Sequence, residues 1–385
     1  MYRALPLISL LVVFLLGCDG NVAERGTDGS ANSSTLLEGM GGTPAAGFAR
    51  ALTPRVFEFP ADHGPHPEFA TEWWYFTGNL FDEDGRRFGY QLTLFRVGLN
   101  DEQPAADSPW RATQMYMGHL ALSDIAQGQH YQGERFSRAA AGLAGAVADP
   151  LRVWLGPWSI SGQAGETWPI RLAASTDAFS LQLTLESGNR PMVLQGDRGL
   201  SQKGSAPGNA SFYYSFTRLP TRGEVSIDGE QFTVQGDSWF DREWSSSALA
   251  DDQAGWDWFA LQLDDNRDLM FYRMRGQDGE AQRFSKGVLV EADGSYKALS
   301  IEDVDLAPTR YWQSANGISY PVAWRLAVPA DDIDLRIEAA FDEQAMETTV
   351  AYWEGAVDVS GSHRGVGYLE LSGYADSDDQ TPGTD

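Results

Sequence analysis

The sequence predicts an all-β protein of two related antiparallel β-barrels in tandem, and three observations carry that expectation. Short runs alternating apolar and polar residues follow one another from about Pro54 to Tyr374, separated by Gly-, Asn- and Asp-containing turns, a pattern of sandwiches or barrels. An aromatic-rich stretch near residue 72 has a weaker echo near residue 256, as two related units would produce. The chain has 385 residues, 42% of them hydrophobic, which is enough core for about two domains.

Taken in order, Met1 to Cys18 combines Arg3, an apolar run from Ala4 to Leu16 and the ending Leu15-Leu16-Gly17-Cys18. This reads as a bacterial lipoprotein signal peptide over residues 1–17, with lipidation of Cys18; the apolar run is too short for a permanent span. The expected product is a lipoprotein anchored to a membrane on its periplasmic side, and Asp19 fits the pattern that retains such proteins at the inner membrane. Cys18 is the only cysteine, so neither a disulfide within the chain nor a thiolate zinc cluster is expected. Residues 18–51, rich in Gly, Ala, Ser, Thr and Asn, read as a flexible linker, because such a composition cannot offset the entropy of ordering.

The first barrel is expected over residues 52–220. It opens with His63 and His66 in a Pro- and Gly-containing loop, which suits hydrogen-bonded loop histidines better than metal ligands held on one face. A hairpin follows from Phe69 to Arg96, turning at Asp84-Gly85. Its first strand carries Trp73, Trp74, Tyr75 and Phe76 in succession, so rings go to both faces, as when one face lines a cavity and the other is covered. Glu72 beside these rings requires a partner, and Arg96 at the end of the return strand is the candidate. Gln114 to Asp124 alternates, with His119 among apolar residues. Tyr131 to Pro150, rich in Ala and Gly, is expected to hold a short helix. Strands are expected at Arg152–Leu155, Trp158–Gly162, Ile170–Ala174, Ser180–Glu186 and Ala210–Leu219.

The second barrel is expected over residues 221–374. After a hairpin about Asp228-Gly229, Asp241, Arg242 and Glu243 stand between Trp239-Phe240 and Trp244. Partial desolvation there can raise a carboxyl pKa enough for proton donation; the competing interpretation is a structural Arg–carboxylate pair. Gly255 to Arg275 then repeats the opening theme, with Trp256-Asp257-Trp258-Phe259 leading to a return strand that ends Tyr272-Arg273. Residues 375–385 form an acidic tail expected to be disordered.

A net charge of −26 excludes a phosphate-backbone partner, so no nucleic acid is expected. The chain has no Gly-x-Ser-x-Gly elbow.

The segments EWWYFTGNL (Glu72 to Leu80), GHLALSD (Gly118 to Asp124), SWFDREWS (Ser238 to Ser245), GWDWFALQL (Gly255 to Leu263) and GYLELSGY (Gly367 to Tyr374) together resemble the AttH-like and carotenoid 1,2-hydratase family. The resemblance implies two lipocalin-like barrels and, for hydratase-type members, addition of water to the terminal double bond of an acyclic carotene without an organic cofactor. Such chemistry needs an acid that protonates carbon, aromatic faces for the cation and a dry tunnel. It makes Asp241 the proton-donor candidate, with Asp257 and Asp264 as auxiliary carboxylates. Glu72, Trp74, Tyr75, His119, Trp239, Arg242, Trp244 and Trp258 are the ligand-binding candidates. Hydratase-type members carry His where this chain has Arg242, and arginine keeps its proton at neutral pH. That departure counts against hydration by the family's route but not against ligand binding. The alternative is a non-catalytic, membrane-tethered carrier of a lipid or other hydrophobic ligand, working beside an ABC transporter.

Overall fold

The structure, a computed structural model, describes residues 47–99, 112–246 and 249–375. The signal peptide, Cys18 and nearly all of the linker and acidic tail lie outside the described residues.

Thirteen strands form the first sheet: β1 (Thr71–Phe81), β2 (Arg87–Gly98), β3 (Gln114–Asp124), β4 (Gln129–Arg138), β5 (Ala144–Ala148), β6 (Leu151–Leu155), β7 (Trp158–Gln163), β8 (Thr167–Ser175), β9 (Phe179–Leu185), β10 (Val193–Leu194), β11 (Leu200–Gln202), β12 (Ala210–Ile227) and β13 (Glu230–Ser245). Its order is β4-β3-β2-β1-β13-β12-β9-β8-β7-β6-β5, with β10 and β11 on β12. The second sheet contains β14 (Gln253–Leu263), β15 (Asp268–Gly276), β16 (Lys286–Val290), β17 (Tyr296–Ser300), β18 (Asp305–Gln313), β19 (Ser319–Val328), β20 (Ile333–Ala339), β21 (Ala345–Glu347), β22 (Ala351–Gly361) and β23 (Gly365–Leu371). Its order is β17-β16-β15-β14-β23-β22-β20-β19-β18, with β21 on β22. All pairings between strands are antiparallel, and each sheet curls around its own apolar core. The expected pair of lipocalin-like barrels is the observed fold.

Two expectations need correction. Residues 131–150 contain no helix: β4 and β5 occupy them, β5 pairing with β6 in register Ala144↔Leu155. Gly142, at φ +73°, turns the chain where a helix would have to continue. The division between the sheets falls between Ser245 and Gln253, not at 220/221, because β12 runs unbroken through that position and pairs along its length with β13. The hairpin turns read from the sequence are both present, with Gly85 at φ +82°, and Asp228 and Gly229 at φ +50° and +85°.

The position of β1 explains its aromatic density. It lies inside the first sheet, between β2 and β13, and both of its faces are covered. Trp74, Phe76 and Leu80 enter the first barrel's core, where the Phe76 and Phe240 rings stack with centroids 4.2 Å apart. Trp73 and Tyr75 turn outward toward the second barrel. In the second sheet β14 holds the corresponding place, with Phe259 inward and Trp258 outward. The outer faces of the two barrels therefore meet. Direct bonds join them: Asn79 Nδ2 donates to the Gly367 carbonyl at 3.1 Å, and Gln262 Nε2 to the Thr217 carbonyl at 2.8 Å.

Candidate active site

Where the barrels face each other they enclose a cavity lined from β1, β2, β3, β12 and β13 on one side and from β14, β15, β22 and β23 on the other. Its walls are mainly apolar and include the rings of Trp73, Tyr75, Phe95, Trp256 and Trp258. The space open to the centre of a water molecule is about 150 Å³. Strand alternation delivers the polar groups as well. On β13, residues that share parity with Trp239 point outward, so Asp241 and Glu243 reach the cavity; on β22 and β23, Glu354 and Glu370 do so.

Asp241 is 3% exposed. Its Oδ1 accepts from Ser215 Oγ at 2.5 Å and Trp239 Nε1 at 2.7 Å, while its Oδ2 accepts from the Tyr213 hydroxyl. The Tyr213 oxygen in turn accepts from Trp258 Nε1 at 3.2 Å. Burial outweighs these hydrogen bonds and pushes the Asp241 carboxyl up to about 7. Burial, together with the Asp241 and Glu243 charges, raises Glu370 to about 7, although Trp256 Nε1 donates to it at 3.1 Å. Burial and the adjacent Glu370 drive Glu354 well above the carboxylate range. Glu243 pairs with Lys203 at 3.0 Å. The cavity thus holds carboxyl groups of different proton affinity against aromatic walls, the arrangement from which acid and base roles can be assigned.

Of the residues singled out from the sequence, Asp241, Tyr75, His119 and Trp258 line this cavity. Trp239 packs edge-on against Trp258 at 6.1 Å and bonds Asp241. His119 bridges the barrels, its Nδ1 2.7 Å from the Tyr352 hydroxyl and its Nε2 3.1 Å from Glu134.

The others lie elsewhere. Trp74 and Trp244 belong to the first barrel's core. Glu72 and Arg242 point inward with them, because they occupy the opposite parity of β1 and β13. Glu72 is fully buried and bonded by both Arg96, the expected partner, and Arg242. Burial alone would raise its pKa, but the two guanidinium groups hold it well below the usual range. The His66 amide donates to both its oxygens at 3.1 Å, and the His66 ring stacks on Trp244 with centroids 3.8 Å apart. Asp257 is the second barrel's counterpart, buried inside it and paired at 2.7 Å with Arg273 and Arg275. Asp264 is exposed in the turn after β14 and accepts from the Arg364 amide. Asp257 and Asp264 are therefore not brought to the cavity. Sequence reasoning named Glu243 in the charged cluster without giving it a role of its own, and missed Tyr213, Glu354 and Glu370. Parity would have set Glu243 on the face of Asp241, and Glu370 stands in the GYLELSGY segment at the alternation of an outward face. Tyr213 and Glu354 gave no signal of their own, since only the docking of the two barrels brings them together.

The AttH-like family model matches residues 50–374. A crystal structure assigned as AttH from Nitrosomonas europaea is 33% identical, with a TM-score of 0.76 over 85% of this chain and 100% of the other. Kievitone hydratase from Nectria haematococca shares the fold at 16% identity, with a TM-score of 0.65 over 88% of this chain and 99% of its own. CghA with Sch210972 does so at 14% identity and a TM-score of 0.51, over 85% and 96%. No curated protein matches in sequence.

Proposed function

The chain belongs to the AttH-like family, and from that premise we propose that it binds an apolar, isoprenoid-type ligand between its barrels and adds water to a carbon–carbon double bond by acid catalysis. The observation that carries this is Asp241, a buried carboxyl raised to about 7 on the wall of an aromatic cavity. A general acid works best with a pKa near the working pH, where it is protonated often enough to donate and basic enough to recover its proton. The two-barrel fold shared with an enzyme named a hydratase supports the same reading.

The steps balance with the chain's own residues. When Asp241 carries its proton on Oδ2, the Tyr213 hydroxyl becomes the acceptor of that bond and turns its own hydrogen into the cavity. The π electrons of the alkene take this proton at the less substituted carbon, and Tyr213 regains one from Asp241. The tertiary cation left behind is stabilised by the faces of Trp73, Tyr75 and Trp258. Water adds to it and gives up a proton to the Asp241 carboxylate, so the net change is alkene plus water to tertiary alcohol. Arg242 lies on the opposite side of β13 and takes no part, so its replacement of the family histidine does not touch this acid. On this reading the double bond to be hydrated lies beside Tyr213 and Asp241.

The test is incubation with an acyclic carotene, assayed for the tertiary alcohol. Turnover that Asp241→Asn abolishes while binding persists supports the enzyme; binding with unchanged return of the polyene overturns it for that substrate. One observation favours a carrier as the second reading: both oxygens of Asp241 already accept hydrogen bonds from the protein. On that reading the chain, tethered through Cys18, holds a lipid for a partner such as an ABC transporter.

A further inference from the structure

In the lining of the same cavity three side-chain oxygens are buried with no hydrogen-bond partner among the described residues, Gln91 Oε1, Ser211 Oγ and Glu354 Oε2, and the first and last of them belong to strands β2 and β22 that meet at the seam. Gln91 is 1% exposed and Glu354 is fully buried, and both line the cavity. A polar atom buried without a partner is costly, and such atoms are rare in native proteins unless something else satisfies them.

The register of the two barrels brings the strands that carry these residues together. At one end His119, which pairs with Thr93 across β2 and β3, bonds the Tyr352 hydroxyl at 2.7 Å. At the other, a Cβ on Gly89 would lie 2.8 Å from Ala356 Cβ. Gln91 is midway between Gly89 and Thr93 on β2, and Glu354 is midway between Tyr352 and Ala356 on β22. Both therefore lie on the strands that meet at the seam.

Their bonding needs are complementary. Gln91 Nε2 is engaged by Thr93 Oγ1, which leaves its carbonyl oxygen to accept. Glu354 Oε1 accepts from the Tyr75 hydroxyl at 2.7 Å. Burial and Glu370 push the Glu354 carboxyl well above the carboxylate range, and in its protonated form Oε2 is the oxygen with a hydrogen to give. A ligand hydroxyl can accept from Glu354 and donate to Gln91 at once. A carbonyl would satisfy only Glu354, and a hydrocarbon neither.

We infer that Gln91 and Glu354 form a subsite for a hydroxyl group, so that the natural ligand is an oxygenated isoprenoid or other apolar alcohol or phenol. This rests on the cavity being the ligand site but not on hydration, and it is tested by binding alone. Fluorescence of the cavity tryptophans is titrated with farnesol and, separately, with farnesene, the corresponding hydrocarbon. The wild-type protein is expected to bind farnesol about tenfold more tightly. In Gln91→Met and Glu354→Leu, each compared at a temperature where circular dichroism reports a folded protein, the preference should fall to near unity while farnesene affinity is retained. Should a variant fail to fold, Glu354→Gln, which keeps volume and a donor, must retain the preference. Equal affinities in the wild-type protein, as expected if the subsite holds only water, overturn the inference. So does a preference that survives both Gln91→Met and Glu354→Leu, or binding of neither compound. Hydration can fail with the preference intact, which would remove the enzymatic reading and leave the subsite standing.

Discussion

At the scale of single residues the decisive contrast is between two buried acids on neighbouring strands. Glu72 and Asp241 are both buried beside tryptophans, yet one is held ionised by two arginines and the other is pushed up to about 7 by an apolar wall. The sequence put both in aromatic surroundings, and their partners decided their roles. Asp241→Asn is expected to lower hydration about 10²–10⁴-fold with ligand affinity nearly unchanged, read as kcat against KM. Because the folded protein holds the Asp241 proton more tightly than the unfolded chain, the carboxyl contributes stability below its unfolded value near 3.8. That contribution is lost as pH rises through about 7. Denaturant melts between pH 4 and 8 should therefore show stability falling with pH, with a shallower fall in Asp241→Asn and in Glu370→Gln, whose group titrates in the same window.

At the scale of elements, β1 and β14 each carry an acid that points into a barrel and meets two arginines: Glu72 with Arg96 and Arg242, Asp257 with Arg273 and Arg275. The repeat read from the aromatic pattern is thus also a repeat of ionic plugs. Removing one member leaves buried charge uncompensated, so Glu72→Gln should destabilise the protein by about 3–5 kcal/mol in urea melts without altering the pH profile of any turnover. The Phe76–Phe240 stack spans adjacent strands inside the first barrel, and Phe240→Ala should cost about 3–5 kcal/mol by the same measurement. Strand identity was legible for β1, β2, β3 and β14 because alternation and turn chemistry agreed. It was not legible at β4 and β5, where Ala and Gly offer little periodicity and pairing with neighbouring strands decides the outcome.

At the scale of the whole molecule, the site exists because two barrels present aromatic outer faces to each other. Gly89 lets β2 approach Ala356 closely, and Arg218 and Asp268 pair at 2.6 Å at another point of the seam. Gly89→Val should force the barrels apart at a cost of about 1–3 kcal/mol and weaken ligand binding more than stability, as fluorescence titration beside thermal melts would report. The sequence by itself determined the all-β class, the two related units, the hairpin turns and the Glu72–Arg96 pair. Each of these follows from local periodicity, or from partners on paired strands. It also pointed to Asp241. Only the tertiary structure decided that Trp74, Trp244 and Arg242 face a barrel core while Asp241 faces a cavity, and that Glu354 and Gln91 line that same cavity. Alternation says that neighbours along a strand point to opposite sides; which side is core and which is seam depends on how the two barrels dock.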